Sequence, residues 1–350
     1  MSLTNQNLFK STHYVIDFFP SPSTSRKYVI TFTERGSRNL TGMGFGGAFL
    51  LKNNFNVIAI KGNVDRWYQD LPAEALEAVN KFLTDMPDPP HWRASYGSSM
   101  GGYAAFMFAK DLHVDLALAI SPQFDVTAQW DRRWASHIDG PMRVLDGNSI
   151  GSGCTYITVY DPRDADHLHF ERLAAAIPAE QLIPIKLPYS GHPSGHVLVD
   201  AGKLQEVALR ALDGDIKSVR PRDVIKATHK TAHYLYILAD HCIRRKHLRW
   251  ADSLMSIAVA KRPLDAEYNI RAAIIADRRG QIERAINHAA VAVATTPKHP
   301  HMNMILGRLL RQKGQNAAAL HYMDAAVALA PTIATALAQE REELRHQMQV

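Results

Sequence analysis

The segment Tyr96-Gly97-Ser98-Ser99-Met100-Gly101-Gly102 lies between an apolar run that reads as a strand, WRASY, and an alanine-rich run that reads as a helix, GYAAFMFA. Gly-x-Ser-x-Gly in that setting puts a serine on a sharp strand-to-helix turn, where no side chain fits two places before or after it. Of the two serines only Ser99 has glycines at both offsets, Gly97 and Gly101, so Ser99 is the expected nucleophile. The start of the helix supplies unpaired N–H groups and positive potential where a tetrahedral oxyanion would form. Met100 N–H is the expected first oxyanion donor. The second is expected from the loop that follows the run Tyr28 to Thr33, near Thr33 to Gly36. Glycine-rich turns are common outside active sites, and it is the placement between strand and helix that favours chemistry here.

An activated serine needs a base, and the base needs a carboxylate to hold its tautomer. The run Thr155 to Tyr160 is followed by Asp161-Pro162-Arg163-Asp164-Ala165-Asp166-His167, and the run Leu182 to Leu187 by Tyr189-Ser190-Gly191-His192-Pro193-Ser194-Gly195-His196. His192, straight after a glycine at the end of the strand, is the expected base, with His196 four residues later as the alternative. Three acids compete. Asp161 suits a turn before proline, Asp166 suits the cap of the next helix, and Asp164 lies between them.

Serine, acid and histidine in this order, each after a strand, resemble the α/β-hydrolase superfamily over about residues 12–213. The resemblance implies a doubly wound, mostly parallel α/β sheet and acyl-transfer chemistry through an acyl-enzyme. It also weights Asp166, because Asp166-x-x-His169 at a helix entrance is similar to the superfamily's acid loop, with Asp164 next in line. Residues 122–153 form a long insertion containing Gln123, Trp130, Arg132, Arg133 and Trp134, where that superfamily places a lid. Asn63 to Gln69, including Trp67 and Tyr68, should reach the same edge; a packing role is equally consistent for the tryptophans. The glycine run Gly42 to Gly47 does not match a dinucleotide fingerprint and reads as a flexible loop. No nucleotide-binding, kinase or paired-histidine metal motif occurs, so neither cofactor nor metal is expected.

These residues need a frame of strands and helices, and six candidate strands alternate with helical patterns before residue 213: Tyr28 to Thr33, Asn56 to Lys61, Trp92 to Tyr96, Leu116 to Ser121, Thr155 to Tyr160 and Leu182 to Leu187. Several are almost wholly apolar, as strands covered on both faces must be. From about Ala232 the pattern becomes all helical. Pro263, Pro297 and Pro331 recur every 34 residues, as do Ala251, Ala285 and Ala319, then Ala258, Ala292 and Ala326, then Ala239, Ala273 and Gly307. This resembles a tetratricopeptide array of three units over 232–331 followed by a capping helix to 350. Residues 214–231 read as a basic linker between a catalytic domain at 1–213 and the repeats.

The net charge of +6 is concentrated in residues 214–250, which could draw an anionic ligand, but no nucleic-acid motif accompanies it and a solvated face is expected. Two distant cysteines, Cys154 and Cys242, give no disulfide framework. The chain shows no spanning apolar run, and a cytoplasmic location is expected. The expected function is a serine hydrolase or acyltransferase acting on an ester, which the resemblance connects to glycan substrates, with the repeats binding a protein or peptide. No large apolar lid helix favours a lipase. The alternative is a non-catalytic scaffold with a degenerate hydrolase domain.

Overall fold

The computed structural model describes residues 4–348. The chain divides into two compact units, with the boundary between Thr228 and His229.

The first unit is a mixed α/β structure built on one eight-stranded sheet. Its strands are β1 (Gln6–Lys10), β2 (Tyr14–Phe19), β3 (Lys27–Phe32), β4 (Asn56–Gly62), β5 (Trp92–Ser98), β6 (Leu116–Ile120), β7 (Thr155–Tyr160) and β8 (Leu182–Lys186), in the order β1-β2-β4-β3-β5-β6-β7-β8. β2 is antiparallel to both of its neighbours, and β4 through β8 run parallel. Every residue of β4 and of β6 is buried, which is why these strands read as unbroken apolar runs rather than alternating ones.

The helices are α1 (Gly47–Lys52), α2 (Ala73–Thr84), α3 (Met100–Met107), α4 (Asp166–Ala176), α5 (Gly195–Asp200), α6 (Leu204–Leu212) and α7 (Pro221–Thr228). α2 buries Ala75, Leu76, Val79 and Leu83, one stripe at helical spacing. α3 is buried at all its positions and lies against β3, β5 and β6. Register sets up the site. Phe32 pairs with Gly97, Ser98 with Ile120, Ile120 with Val159, and Tyr160 with Lys186. The carboxyl ends of β3, β5, β6, β7 and β8 are therefore flush, and the loops leaving them share one edge, where open α/β sheets bind ligands.

Three expectations are corrected here. Two strands, β1 and β2, precede the first expected one; β1 is short and half exposed and carries no clear alternation. The Gly42–Gly47 run is a tight turn into α1, not a flexible loop: Lys61 Nζ donates to Gly42 O at 3.0 Å, and a Cβ on Gly44 would come within 2.8 Å of Ala59 Cβ. The 214–231 stretch is not a linker throughout. It contains α7, whose Val224 and Thr228 are buried, because Pro221 takes the first helical position, where a missing N–H costs nothing.

The second unit is three helix hairpins and a terminal helix: α8 (Ala232–Arg244) with α9 (Leu248–Lys261), α10 (Ala266–Arg278) with α11 (Ile282–Thr295), α12 (Pro300–Gln312) with α13 (Asn316–Leu329), then α14 (Ala334–Gln347). The repeating alanines at 251, 285 and 319 and at 258, 292 and 326 are fully buried, where helices cross closely. At Gly307 a Cβ would meet Met323 Cγ at 2.8 Å. A further 34-residue echo fixes the entry of the second and third hairpins: Asn269 Nδ2 donates to the carbonyls of Pro263 and Asp265, and Asn303 Nδ2 to those of Pro297 and His299, all at 2.8 to 3.0 Å.

Candidate active site

β5 ends at Ser98 and α3 begins at Met100, leaving Ser99 alone on the turn with φ 53° and ψ −119°. Such a backbone costs on the order of 1–3 kcal/mol for a residue with a side chain. It is imposed by crowding: a Cβ on Gly97 would lie 2.1 Å from Gly101 O, and one on Gly101 would lie 2.4 Å from Phe32 O. The Ser99 amide is anchored to Ile120 O at 2.8 Å, so its hydroxyl projects at the sheet edge.

Three elements meet at that hydroxyl. Ser99 Oγ is 2.9 Å from His192 Nε2, and His192 Nδ1 is 2.8 and 2.9 Å from Asp166 Oδ1 and Oδ2. A carboxylate only accepts, so Nδ1 carries the proton and Nε2 offers its lone pair to the serine. Asp166 is the first residue of α4, whose N-cap residue is Ala165. Burial pushes its carboxyl up, but His192 and Arg133 outweigh that and hold it below the usual carboxylate range.

The other acids do different work. Asp161 accepts from the backbone N–H groups of Arg163, Tyr189 and Gly191 at 2.8 to 3.0 Å, tying the end of β7 to the loop that carries His192; burial raises its pKa despite those bonds. Asp164, the other candidate, takes the Ala165 N–H on its Oδ1 at 2.8 Å, and it is Asp166 that lies at the His192 ring. His196 lies within α5, and burial, with His192 nearby, lowers its pKa. Thr33 is also corrected. Its amide is directed at Ile60 O, 3.4 Å away, and its hydroxyl sits between Tyr68 Oη at 3.0 Å and the Gly62 N–H at 3.1 Å. Met100, first in α3, keeps an N–H with no acceptor inside the helix.

Residues 122–153 fold over the site without forming an α-helix; Val126, Met142 and Leu145 are buried in the core. This segment brings in groups that the sequence reading named without a role or passed over. Gln123 Nε2 is 3.0 Å from Ser99 Oγ and 3.1 Å from His192 Nε2, and Gln123 Oε1 accepts from Trp67 Nε1 at 3.0 Å. Arg133 pairs with Asp131 at 2.6 Å and with Asp166 at 3.1 Å while lying 4.3 Å over the Trp134 ring, which in turn sits 4.7 Å from the His192 ring. Asp131 also accepts from the fully buried His169 at 2.9 Å, and the Phe124 N–H donates to His169 Nδ1. Accepting at Nδ1 and donating at Nε2 makes His169 neutral. Burial would raise the Asp131 carboxyl, but His169 and Arg133 reverse this and hold it far below its ordinary range. The available signal was the i, i+3 spacing of Asp166 and His169, which puts both on the buried face of α4.

Among the described residues there is no cluster of three potential metal ligands, and no helix is long and apolar enough to cross a membrane.

No protein-family description matches the chain, and no curated protein does. Solved structures are similar over about a third of it. The type III secretion chaperone SycD of Yersinia enterocolitica, in complex with a peptide of the translocator YopD, is 18% identical, with 33% of this chain and 92% of that one covered at a TM-score of 0.31. The Sgt2 TPR domain of Aspergillus fumigatus is also 18% identical, with 34% and 79% covered at 0.32. The C-terminal unit's three helix pairs on a 34-residue period make it a tetratricopeptide-type repeat region.

Proposed function

We propose that the first unit is a serine hydrolase or acyltransferase of the α/β-hydrolase type. The observation that carries the reading is the continuous hydrogen-bonded chain Ser99–His192–Asp166, three residues that follow three different strands, with Ser99 and Asp166 buried and the His192 side chain 8% exposed. Ser99 Oγ attacks the carbonyl of an ester, and its proton passes to His192 Nε2. Met100 N–H donates to the oxyanion, and the leaving alcohol takes the proton from His192. Water or an acceptor hydroxyl then resolves the acyl-enzyme by the same path in reverse.

Charge balance favours the attacking step. With His192 neutral, the buried Asp131 and Asp166 and the partly exposed Arg133 together carry one excess negative charge. Protonating His192 neutralises it at the moment an oxyanion appears nearby. The acyl group and acceptor are open, and a glycan ester rests on the resemblance alone.

The repeat unit supports a second role, binding a peptide segment of a protein partner. A cavity of about 150 Å³ between α10 and α12 is lined by Ala273, Ile274, Ile305, Arg308 and Gln312. If the first unit lacks chemistry, this scaffold role is the protein's function.

Labelling with a fluorophosphonate probe separates the two. Labelling retained in Ser98→Ala and lost in Ser99→Ala and His192→Ala supports the hydrolase reading. A folded wild type that does not label overturns it in favour of the scaffold.

A further inference from the structure

The serine lies against a side-chain amide as well as a histidine. Gln123 Nε2, Ser99 Oγ and His192 Nε2 form a nearly equilateral triangle with sides of 3.0, 3.1 and 2.9 Å. Amide nitrogen and oxygen exchange places on a flip, but the environment decides between them here. The Trp67 indole only donates, so the group facing it must be the Gln123 oxygen, and the NH₂ must face the serine. Gln123 is 1% exposed and Trp67 is fully buried, so neither trades this contact for water. Trp67 and Tyr68 hold consecutive φ values of 47° and 54°, a backbone that bulky residues avoid. Tyr68 Oη pins the turn by donating to Thr33 O at 2.9 Å.

The triangle subtends about 60° at Nε2, half the roughly 120° between the two N–H bonds of a planar amide. Ser99 Oγ and His192 Nε2 both lie within hydrogen-bond distance of Gln123 Nε2, so the amide NH₂ faces the reacting atoms. The oxygen of a carbonyl attacked by Ser99 Oγ ends two bonds from Oγ, which itself lies 3.0 Å from Gln123 Nε2. The loop after β3 supplies no donor through Thr33, whose amide is turned to Ile60 O.

Resting on the serine-hydrolase reading above, we infer that Gln123 is a catalytic residue whose side-chain amide is the second oxyanion donor beside Met100 N–H, with Trp67 as the positioning residue that fixes its orientation. The bonds formed and broken are those of ordinary acyl transfer; Gln123 donates a hydrogen bond to the oxyanion and exchanges no proton.

The test is the second-order rate of fluorophosphonate labelling of the full chain, with the melting temperature of each variant measured in parallel. Gln123→Met keeps length and packing and removes the donor. Gln123→Glu keeps the acceptor for Trp67 and likewise removes the donor. Each should slow labelling by about 10²–10³-fold. Trp67→Phe keeps the ring and frees the amide to flip, and should slow labelling by about tenfold without a matching loss of stability. Wild type that labels while a folded Gln123→Met or Gln123→Glu labels within threefold of it overturns the assignment and leaves the serine-hydrolase reading intact. A folded wild type that does not label overturns both. A Trp67→Phe rate equal to wild type, with both Gln123 variants slow, would overturn the positioning role of Trp67 alone.

Discussion

The sheet edge and the helical repeats place their unusual backbone differently. Around Ser99, left-handed backbone falls on Trp67, Tyr68, Ser99, Ser121 and Tyr189, which carry side chains, and on Gly191, all in segments that follow strands of the sheet. In the repeats it falls on Lys246, Gly280 and Gly314, 34 residues apart, where each hairpin turns. There the same pair of bonds closes each turn: the amides of Lys246, Gly280 and Gly314 reach back three residues, and the amides of His247, Gln281 and Gln315 reach back five. Glycine is the low-cost solution for such a turn. The repeats use it in two of three cases, whereas the sheet edge retains side chains at strained positions. Strain is concentrated where side chains must be aimed and minimised where only the chain must turn.

The comparison breaks most sharply at Arg133. Arg133→Met leaves the buried Asp131 and Asp166 without their shared cation and should destabilise the first unit by about 3–5 kcal/mol. Hydrogen exchange of the sheet amides measures this, and the exchange of α8–α14 amides should not change. A loss below about 1 kcal/mol would show the network to be less coupled than its geometry.

The same pair sets a pH response. Asp131 and Asp166 have folded pKa values below their unfolded ones. Their stabilisation is therefore complete above the unfolded value of about 4 and is lost as pH falls from there through the depressed folded values. Urea midpoints of the first unit should fall across that acid window, and the fall should be smaller in Arg133→Met.

In the repeats the effects should be smaller and local. Asn269→Ala removes the two bonds to Pro263 O and Asp265 O, a cost of about 1–2 kcal/mol, visible in exchange of α9–α11 amides with fluorophosphonate labelling unchanged. Smallest of all, Lys246→Gly should stabilise the first hairpin by about 1 kcal/mol, and Gly280→Ala should destabilise the second by a similar amount. Opposite signs at equivalent turns would sharpen the comparison; equal signs would break it.

Much of the frame was legible in the amino-acid order because it depends on local pattern. Several of the six parallel strands are apolar runs, and Gly97 and Gly101 flank Ser99 because a Cβ at either would strike backbone. The 34-residue spacing of small residues marks where helices cross. β1, half exposed and short, lacked such a pattern. α7 was hidden because Pro221 reads as a breaker, although at the first helical position it is an initiator.

Amino-acid order alone shows a serine on a Gly-x-Ser-x-Gly turn, a group of acids and then a histidine after later strands, and a periodic helical region beyond them. It took the folded chain to set Asp166, rather than Asp161 or Asp164, against the His192 ring, to turn Thr33 to the sheet, and to bring Gln123 to the serine with Trp67 and Arg133 behind it. The reason is physical. Nucleophile turns and helix repeats arise from contacts within a few residues, whereas Ser99 meets Gln123 across 24 residues, Trp67 meets Gln123 across 56, and His192 meets Ser99 across 93. Those pairings exist because strand register makes the ends of five parallel strands flush, and no local spacing encodes it.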